Sequence, residues 1–416
     1  MRVLVIGSGG REHAIVDAIK KSKKVSKIYA APGNAGIAKM ADIIKISDHN
    51  VEDLVEFAKN AKIDLVVVGP EASLACGIVD AMTEAGIKAF GPTKAAAQIE
   101  SSKEFAKDLM KKYNIPTAAY EVFSNYDDAC EYVKSHGLPL VIKYDGLAAG
   151  KGVVIPETME EAISTLHDML VDDKFGEASV VIEDYLEGPE FSFMCFVSNE
   201  DVYRMEISQD HKRAYDGDLG PNTGGMGAYS PVPIITKEDL DYAYNNIMVP
   251  TAKAMVKEGC PFKGVLYGGL MKTKDGVKVI EFNSRFGDPE TEVVLPRLES
   301  DIIDIFLGII DGKKDIDIRW SEDVTLGIVL ASKGYPQSYK KGFVIEGLDD
   351  VDAKVYHMGT DLVDGKYTTN GGRVLFVVCK GKNLKEAQAK ALNEVKKIKC
   401  ENLFYRKDIP DSACLK

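Results

Sequence analysis

Short apolar runs alternate with helical patterns over the first hundred residues, and this alternation restricts the fold more than any other feature. A chain in which strands and helices take turns builds a parallel sheet with helices on both faces. We therefore predict an N-terminal, doubly wound parallel α/β sheet. The predicted strands are residues 3–6, 27–30, 63–68 and 87–90, and the predicted helices lie near residues 11–21, 50–60, 73–85 and 93–99.

Three of these strands run into loops rich in Gly or Pro, at residues 7–10, 31–36 and 69–71. Ligands of such sheets bind beyond the carboxyl ends of the strands. The first loop also begins a helix, whose free N–H groups attract anions. The candidate ligand contacts in these loops are Gly9, Gly10 and Glu71.

A dinucleotide site is the obvious alternative for residues 7–12, and it fits poorly. The G-x-G-x-x-G fingerprint needs a third Gly for close packing of helix on strand, and Glu12 stands in that place. An NAD-dependent oxidoreductase stays open as an alternative, with a change in nicotinamide absorbance as its signature.

Composition excludes several classes of protein. A chain of 416 residues is too long for one ordinary core. The net charge of −12 argues against nucleic acid as a main partner. No apolar run reaches the roughly 18 residues that a membrane span needs. The seven Cys are widely spaced and form no C-x-x-C motif, which indicates reduced, buried thiols in a cytoplasmic protein.

A loop of Gly and Ala with one Lys separates two predicted strands, residues 138–143 and 153–155. It is not a P-loop, for two reasons. Three residues instead of four separate Gly146 from the pair Gly150-Lys151, and Gly152 follows this pair where a P-loop has Ser or Thr. Small residues still let backbone N–H groups approach phosphate oxygens. We predict a mobile phosphate-binding lid; a flexible hairpin loop is the alternative. The candidate residues are Lys143, Gly146, Gly150, Lys151 and Gly152.

A later strand, approached through an Asp-Gly hairpin turn at residues 273–276, carries three polar side chains in a row. Alternate residues of a strand share a face, so Glu281, Asn283 and Arg285 lie on one face. A carboxylate and an amide oxygen suit Mg²⁺, and a guanidinium suits a carboxylate or a phosphate. We predict a metal and substrate site here; a solvated edge strand is the alternative.

Residues 208–231 hold five Gly and two Pro. We predict a long functional loop without regular structure, because such loops are uncommon in compact domains; a mobile surface loop is the alternative. Beyond about residue 325, short strands with Gly turns precede a helix at 384–397, which predicts a small α+β domain. The predicted domains are residues 1–100, 101–324 with a lid subdomain at about 120–190, and 325–416.

This order of a parallel sheet, a Gly/Ala-Lys lid and a strand with Glu-x-Asn resembles the ATP-grasp ligases. Within them the chain resembles the phosphoribosylamine–glycine ligase family, also called glycinamide ribonucleotide synthetases. The resemblance covers the whole chain, and the motif at residues 285–290 is specific to the family. The motifs are residues 9–13 (GGREH), 32–36 (PGNAG), 145–152 (DGLAAGKG), 209–213 (QDHKR), 220–227 (GPNTGGMG) and 285–290 (RFGDPE).

The resemblance implies purine synthesis. ATP, glycine and 5-phosphoribosylamine would give glycinamide ribonucleotide, ADP and phosphate through glycyl phosphate, with Mg²⁺ or Mn²⁺ as the metal. No nucleic acid or membrane is implied as a partner, and a monomer is the working expectation. Another ATP-grasp carboxylate–amine ligase or a ribotide carboxylase is the nearest alternative, which residues 285–290 argue against.

Residue roles follow from the same resemblance, motif by motif. The implied catalytic residues are Arg285, Asp210 and Lys151. The implied ATP contacts are Lys103, Lys143, Gly146, Gly150, Gly152, Glu183, Glu190 and the backbone of Tyr185 and Leu186. The implied substrate contacts are Gly9, Gly10, Glu71, Asp210, Gly224, Gly225, Met226 and Arg285. The implied metal ligands are Glu281 and Asn283, without a further acid on the preceding strand.

Overall fold

The computed structural model of the chain describes residues 1–146, 152–172 and 179–410. Its N-terminal part is a parallel five-stranded sheet in the order β3-β2-β1-β4-β5, which confirms the predicted doubly wound sheet. The strands are β1 Arg2–Gly7, β2 Lys27–Pro32, β3 Asp42–Ile43, β4 Leu65–Val68 and β5 Lys88–Phe90. The helices are α1 Gly10–Lys20, α2 Val51–Asn60, α3 Glu71–Ala75, α4 Ile78–Glu84 and α5 Lys94–Ser101.

Two details of this sheet differ from the prediction. The short edge strand β3 has only two residues and too little pattern to be recognised. The single helix predicted at residues 73–85 is divided into α3 and α4, because Gly77 between them adopts a φ of +84° that continues neither helix.

A second, antiparallel sheet follows in the order β6-β9-β7-β8. Its core is an apolar cluster between the sheet and the helices α7 and α8. The strand–loop–strand prediction is confirmed, because β7 and β8 pair antiparallel on either side of the loop. The elements are α6 Lys103–Lys112, β6 Tyr120–Phe123, α7 Tyr126–His136, β7 Leu140–Tyr144, β8 Val153–Val154, α8 Met159–Leu170 and β9 Val180–Asp184.

The rest of the chain forms two further large sheets. One is antiparallel, in the order β11-β10-β16-β17, and the other joins β12-β15-β18-β22-β19, with β23 beside β18. The elements up to residue 311 are β10 Glu190–Ser198, β11 Asp201–Arg204, β12 Gln209–Asp210, β13 Arg213–Tyr215, β14 Leu219–Asn222, β15 Gly227–Ser230, α9 Lys237–Ala243, α10 Val249–Lys257, β16 Lys263–Thr273, β17 Gly276–Asn283, α11 Thr291–Val294 and α12 Ile302–Asp311. Those after it are β18 Val324–Ser332, β19 Lys354–His357, β20 Thr360–Val363, β21 Lys366–Thr369, β22 Arg373–Gly381, α13 Leu384–Val395 and β23 Leu403–Phe404.

The prediction of a loop without regular structure at residues 208–231 is wrong. The segment contains four short strands, of which β13 and β14 form a hairpin while β12 and β15 join the C-terminal sheet. The partner of β15 is β18, about a hundred residues later in the chain, and the local sequence pattern does not predict a pairing over such a distance. The segment therefore ties the C-terminal sheet to the centre of the molecule.

The apolar core extends through most of the described chain, and its largest cluster joins residues of the N-terminal sheet to both later sheets. Cys130, Cys195, Cys260 and Cys379 are free and buried as predicted, whereas Cys76 is exposed. Among the described residues, none of the helices has the length and apolar character needed to cross a membrane.

Candidate active site

The candidate active site is a cavity of about 350 Å³ between the N-terminal sheet, the central sheets and the C-terminal sheet. Six cationic and five acidic side chains line it, so a charged ligand would meet groups of both signs. The cations are Arg11, Lys103, Lys107, Lys143, Arg285 and Arg373, and the acids are Glu71, Glu100, Glu183, Glu281 and Asp288. We call the part around Lys103, Lys107, Lys143 and Glu183 the lysine end, and the part around Arg11, Glu71, Glu100, Arg285, Asp288 and Arg373 the arginine end.

The lysine end is centred on one buried glutamate held between two ammonium groups. Glu183 of β9 lies 2.9 Å from Lys143 Nζ on β7 and 2.9 Å from Lys107 Nζ on α6. All three side chains are at most 4% exposed. Burial lowers the pKa of Lys107 to about 8, although Glu183 opposes this change. The geometry orients the carboxylate, since a desolvated charge with two partners has little freedom to rotate.

The same two lysines reach the strand that carries the predicted metal ligands. Lys143 Nζ donates to the Ile280 carbonyl at 3.0 Å. Lys107 Nζ donates to Thr117 Oγ1 at 2.7 Å, and Thr117 in turn donates to the Val279 carbonyl at 2.8 Å. Hydrogen bonds from Lys143 and, through Thr117, from Lys107 thus connect the lysine end to β17.

Lys103 begins α6 at the entrance to the predicted lid. Its Nζ donates to the Gly146 carbonyl at 3.1 Å, and Asp145 caps the helix by accepting from the Lys103 and Glu104 amides. Gly146 and Gly152 both line the cavity. The predicted contacts Gly150 and Lys151 lie outside the described residues.

Glu281 and Asn283 lie between the two ends, on β17. Gly269 pairs with Glu281 but Leu270 pairs with Val279, so Ile280 is an extra, bulged residue. Such a bulge redirects the side chains that follow it, and both Glu281 and Asn283 line the cavity. Arg285 also lines the cavity, although it follows the end of the strand.

The donor set at this point fits a divalent metal. Burial opposes ionisation of Glu281, but Lys212, Lys143 and Lys103 outweigh it, so the pKa of this carboxyl lies below its usual value. Despite these cations, no hydrogen bond or ion pair engages the carboxylate among residues 1–146, 152–172 and 179–410. An ionised, unpaired carboxylate beside the Asn283 amide presents the oxygen ligands that Mg²⁺ prefers.

Arg285 is held by two acids from other parts of the chain. Its Nη2 lies 2.9 Å from Glu100 Oε1 on α5, and its Nε lies 3.1 Å from Glu71 Oε2 on α3. The Ser284 amide and hydroxyl donate to Glu100 Oε2 at 2.8 and 2.9 Å. Burial lowers the pKa of Arg285, but Glu100 and Glu71 more than reverse this, so the guanidinium stays charged. A substrate carboxylate would compete with these acids for Arg285.

Glu12 packs against the N-terminal turn of Gly9 and Gly10 and accepts a hydrogen bond from it. Glu12 Oε2 accepts from the Gly9 amide at 2.7 Å, and Glu12 Oε1 lies 2.6 Å from Arg11 Nε. A Cβ on Gly7 would lie 2.5 Å from the Glu12 side chain, so this acid fills the space that a third Gly would leave for helix packing. The turn therefore does not have the dinucleotide fingerprint, in agreement with the sequence analysis.

The turn at Gly224 and Gly225 forms part of the arginine end. Gly225 adopts a φ of +115°, and a Cβ there would lie 2.6 Å from Pro289, so only Gly fits. Gly224 lines the cavity, whereas Met226 is buried behind the turn and donates its amide to the His211 carbonyl at 2.7 Å.

Eight predicted residues that the structure describes do not line the cavity: Gly9, Gly10, Tyr185, Leu186, Glu190, Asp210, Gly225 and Met226. Glu190 Oε2 is 2.7 Å from Lys212 Nζ, close to Asp210. Burial raises the pKa of Asp210 to about 6, with Lys212 opposing and Glu290 adding to the shift. Tyr185 and Leu186 form the connection between β9 and β10, where Tyr185 is 40% exposed.

Sequence reasoning did not select three residues that the structure places in the cavity wall. Lys107 follows Lys103 by one helical turn, and this i, i+4 spacing was a usable signal. Glu100 and Arg373 had no such signal, because their partners are distant in the chain: 184 residues separate Glu100 from Ser284, and 149 separate Arg373 from Gly224.

Family models match nearly the whole chain. They describe phosphoribosylglycinamide synthetase, with its N domain at residues 1–100, its ATP-grasp domain at 101–291 and its C domain at 325–412. The chain belongs to the phosphoribosylglycinamide synthetase family. The family predicted from the motifs is thereby confirmed.

Relatives support this membership at full length. A phosphoribosylamine–glycine ligase of Halalkalibacterium halodurans is 55% identical over 99% of this chain and 97% of its own. A crystal structure of the Thermotoga maritima phosphoribosylamine–glycine ligase superposes with a TM-score of 0.86 at 34% identity, over 98% of this chain and all of the other. A biotin carboxylase complex with β,γ-ATP from Campylobacter jejuni has a TM-score of 0.77 at 16% identity, over 100% of this chain and 95% of the other, which shows a shared fold alone.

Proposed function

We propose that the chain joins glycine to 5-phosphoribosylamine at the expense of ATP, releasing glycinamide ribonucleotide, ADP and phosphate. The glycine carboxylate attacks the γ-phosphorus of ATP, ADP leaves, and glycyl phosphate forms. The ribosylamine nitrogen then attacks the glycyl carbon and displaces phosphate. The observation that carries the proposal is one cavity that three lysines line at one end, where they can neutralise phosphate, and that Gly224 and guanidinium groups line at the other end.

The lysine end is suited to the triphosphate. Lys103, Lys143 and the glycines of the lid would neutralise phosphate oxygens, as Lys and Gly-rich loops do in other phosphoryl-transfer enzymes. Glu183, fixed between two lysines, would accept a hydrogen bond from the adenine. The backbone of Tyr185 and Leu186, on the connection that follows β9, would also contact the adenine, and Glu190 would contact the ribose. No side-chain nucleophile is needed, because positioning and charge neutralisation supply the catalysis.

Glu281 and Asn283 would hold Mg²⁺, or Mn²⁺ in its place. When bound, the metal neutralises charge on the phosphate oxygens. The chain's own residues prepare this place: Lys212, Lys143 and Lys103 keep Glu281 ionised, and the bulge at Ile280 aims it at the cavity.

The arginine end is suited to glycine and the ribosylamine. Arg285 and the Gly224 turn are candidates for the glycine carboxylate, and the Gly9-Gly10 helix start with Glu71 is a candidate for the sugar phosphate side. Asp210 pairs with Ala228 on the neighbouring strand, and its charge is coupled to that of Lys212, which also lowers the pKa of Glu281. Asp210 is therefore a candidate that contributes through this charge coupling. We further propose that the enzyme works in the cytoplasm as a monomer. The net charge of −12 supports the absence of a nucleic-acid partner.

The test is ADP release from the purified protein with ATP, Mg²⁺, glycine and 5-phosphoribosylamine. Release is expected only when all are present, and removing the metal with a chelator should stop it. Rapid ADP release that is unchanged when glycine is left out would contradict the proposal. A carboxylase of the same fold would instead need bicarbonate, so bicarbonate replaces glycine in the control.

A further inference from the structure

Two side chains of the C-terminal sheet region hold the peptide groups of a single glycine in the cavity wall. The Gly224 amide donates to the Tyr335 hydroxyl at 2.9 Å, and the Gly224 carbonyl accepts from Arg373 Nη1 at 2.8 Å. A Cβ on Gly224 would lie 3.0 Å from Arg373 Cζ, so the guanidinium lies directly against this turn. The turn's position is thus set by residues far along the chain.

The same guanidinium also fixes the turn after β17. Arg373 Nη1 donates to the Asp288 carbonyl at 3.1 Å, and Nη2 lies 2.9 Å from Asp288 Oδ1. Asp288 in turn lies next to the N-terminal turn, since a Cβ on Gly9 would be 3.3 Å from Asp288 Oδ2. Arg373 therefore links the loops of Gly224 and Asp288 directly, and it reaches the Gly9 loop through Asp288.

Arg373 is in contact with the cavity as well as with these loops. It lines the cavity together with Gly224 and Asp288, and its side chain is 18% exposed. Its Nη atoms are engaged, whereas Nε makes no hydrogen bond within the part of the chain that the structure describes. The fork shape matters here, because a Lys ammonium is a point charge and cannot bond several acceptors in one plane.

We propose that Arg373 is a positioning residue of the C-terminal region, which aligns the Gly224, Asp288 and Gly9 loops into a subsite for the phosphorylated sugar amine. This inference rests on the proposed function, whose substrates it uses. It assigns the C-terminal region a direct part in substrate choice: Arg373 affects the ribosylamine and not ATP, whose predicted contacts are at the other end of the cavity.

The test is equilibrium binding, by titration calorimetry, of glycinamide ribonucleotide and separately of a non-hydrolysable ATP analogue with Mg²⁺. In Arg373→Met the dissociation constant for glycinamide ribonucleotide should rise at least tenfold, while that for the ATP analogue changes less than twofold. Arg373→Lys should restore only part of the affinity, because it returns the charge without the fork. Tyr335→Phe, which removes the acceptor of the Gly224 amide, should weaken the same ligand about threefold.

Lys380→Met is the matched control, because Lys380 is an exposed cation on the same strand β22 and pairs with Asp323 at 3.4 Å. It should bind both ligands like the wild type.

Equal loss of affinity for both ligands in Arg373→Met and Arg373→Lys, or full affinity in Arg373→Lys, would overturn the inference. If Arg373→Met does not fold, Arg373→Lys and Tyr335→Phe decide in the same way. A wild type that binds the ATP analogue but not glycinamide ribonucleotide would count against the proposed function itself, and with it the inference.

Discussion

The lysine end and the arginine end of the cavity are assembled differently. Lys103, Lys107, Lys143 and Glu183 all come from one continuous stretch, α6 to β9, and the two buried lysines converge on one acid. The arginine end draws Arg11 and Glu71 from helices that pack on the N-terminal sheet, Arg285 and Asp288 from the centre and Arg373 from the C-terminal sheet. The lysine end is therefore a local construction, whereas the arginine end exists only when three parts of the chain are docked.

Under the proposed function, this difference separates the site for ATP from the site for the other two substrates. A triphosphate is a common ligand, and a site for it can be built once, within one unit, and reused. The substrates that distinguish this ligase would be recognised by parts that only this arrangement brings together. Function then depends on the site and its residues and not on the fold alone.

Glu281→Gln should cause the largest effect, because Glu281 lies between the two ends and would serve both. We expect turnover to fall on the order of a hundredfold, by analogy with the loss of one charge-stabilising group, while the melting temperature stays near that of the wild type. Steady-state ADP release and thermal unfolding measure the two quantities. Glu121→Gln, at an exposed position of β6, is the control; unfolding of the Glu281→Gln variant would remove the support for a metal role.

Acidification should weaken the docking of the C-terminal region on the N-terminal region, on which the arginine end depends. His13 of α1 and His357 of β19 join the N-terminal and C-terminal regions, with the His357 amide donating to His13 Nδ1 at 2.8 Å. Burial lowers the pKa of His13 to about 4 and that of His357 to about 3. Both stay neutral in the folded protein while an unfolded His, at about 6.5, takes up a proton. The stability they contribute is complete above pH 6.5 and is lost as the pH falls toward 4.

His13→Asn tests this pH dependence, because the Asn amide oxygen can replace Nδ1 as acceptor without titrating. Between pH 7 and pH 5 the variant should lose about 2 kcal/mol less unfolding free energy than the wild type, measured by urea unfolding at both pH values. His49→Asn, at an exposed position, should leave the pH dependence unchanged. Identical pH dependence in wild type and His13→Asn would show that this contact does not control the docking.

Lys107→Met should have a smaller effect than the changes above, but it should show most clearly that the two ends bind different substrates. The change removes one of the two ammonium partners of Glu183 and the donor to Thr117. We expect the KM for ATP to rise about tenfold, or about 1.4 kcal/mol, with the KM for glycine unchanged. Lys111→Met, one turn later on α6 and exposed, is the matched control. A parallel rise of both KM values would mean that the ends are coupled through β17.

Several parts of the fold were accessible to prediction because their signals are local. The alternation of strand and helix in the first hundred residues and the Asp-Gly turn before β17 each lie within a few residues of the structure they specify. The strands β12 to β15 were missed because short strands carry little pattern of their own and because β15 pairs with β18, which is distant in the chain.

The same division applies to the candidate site. Lys103, Lys143, Glu281 and Asn283 could be selected from motifs and spacing, and all four line the cavity. Motifs also selected Arg285, yet nothing near it in the chain shows that Glu71 and Glu100 hold its guanidinium. Ionic partners of this kind cannot be inferred from spacing, because buried charges are satisfied by whichever elements the core brings together.

By itself, the sequence determined the parallel N-terminal sheet, the strand–loop–strand of the lid, the hairpin into β17 and the family of the chain. Each depends on backbone preferences and hydrophobic period over short distances. Only the tertiary structure decided that Arg373 holds the Gly224 turn and that Glu183 lies between two lysines. It also decided that nearby lysines lower the pKa of Glu281 while no described residue pairs with this carboxylate. The physical reason is range: hydrogen bonds and charges act over a few ångströms in space, whatever the number of residues between them.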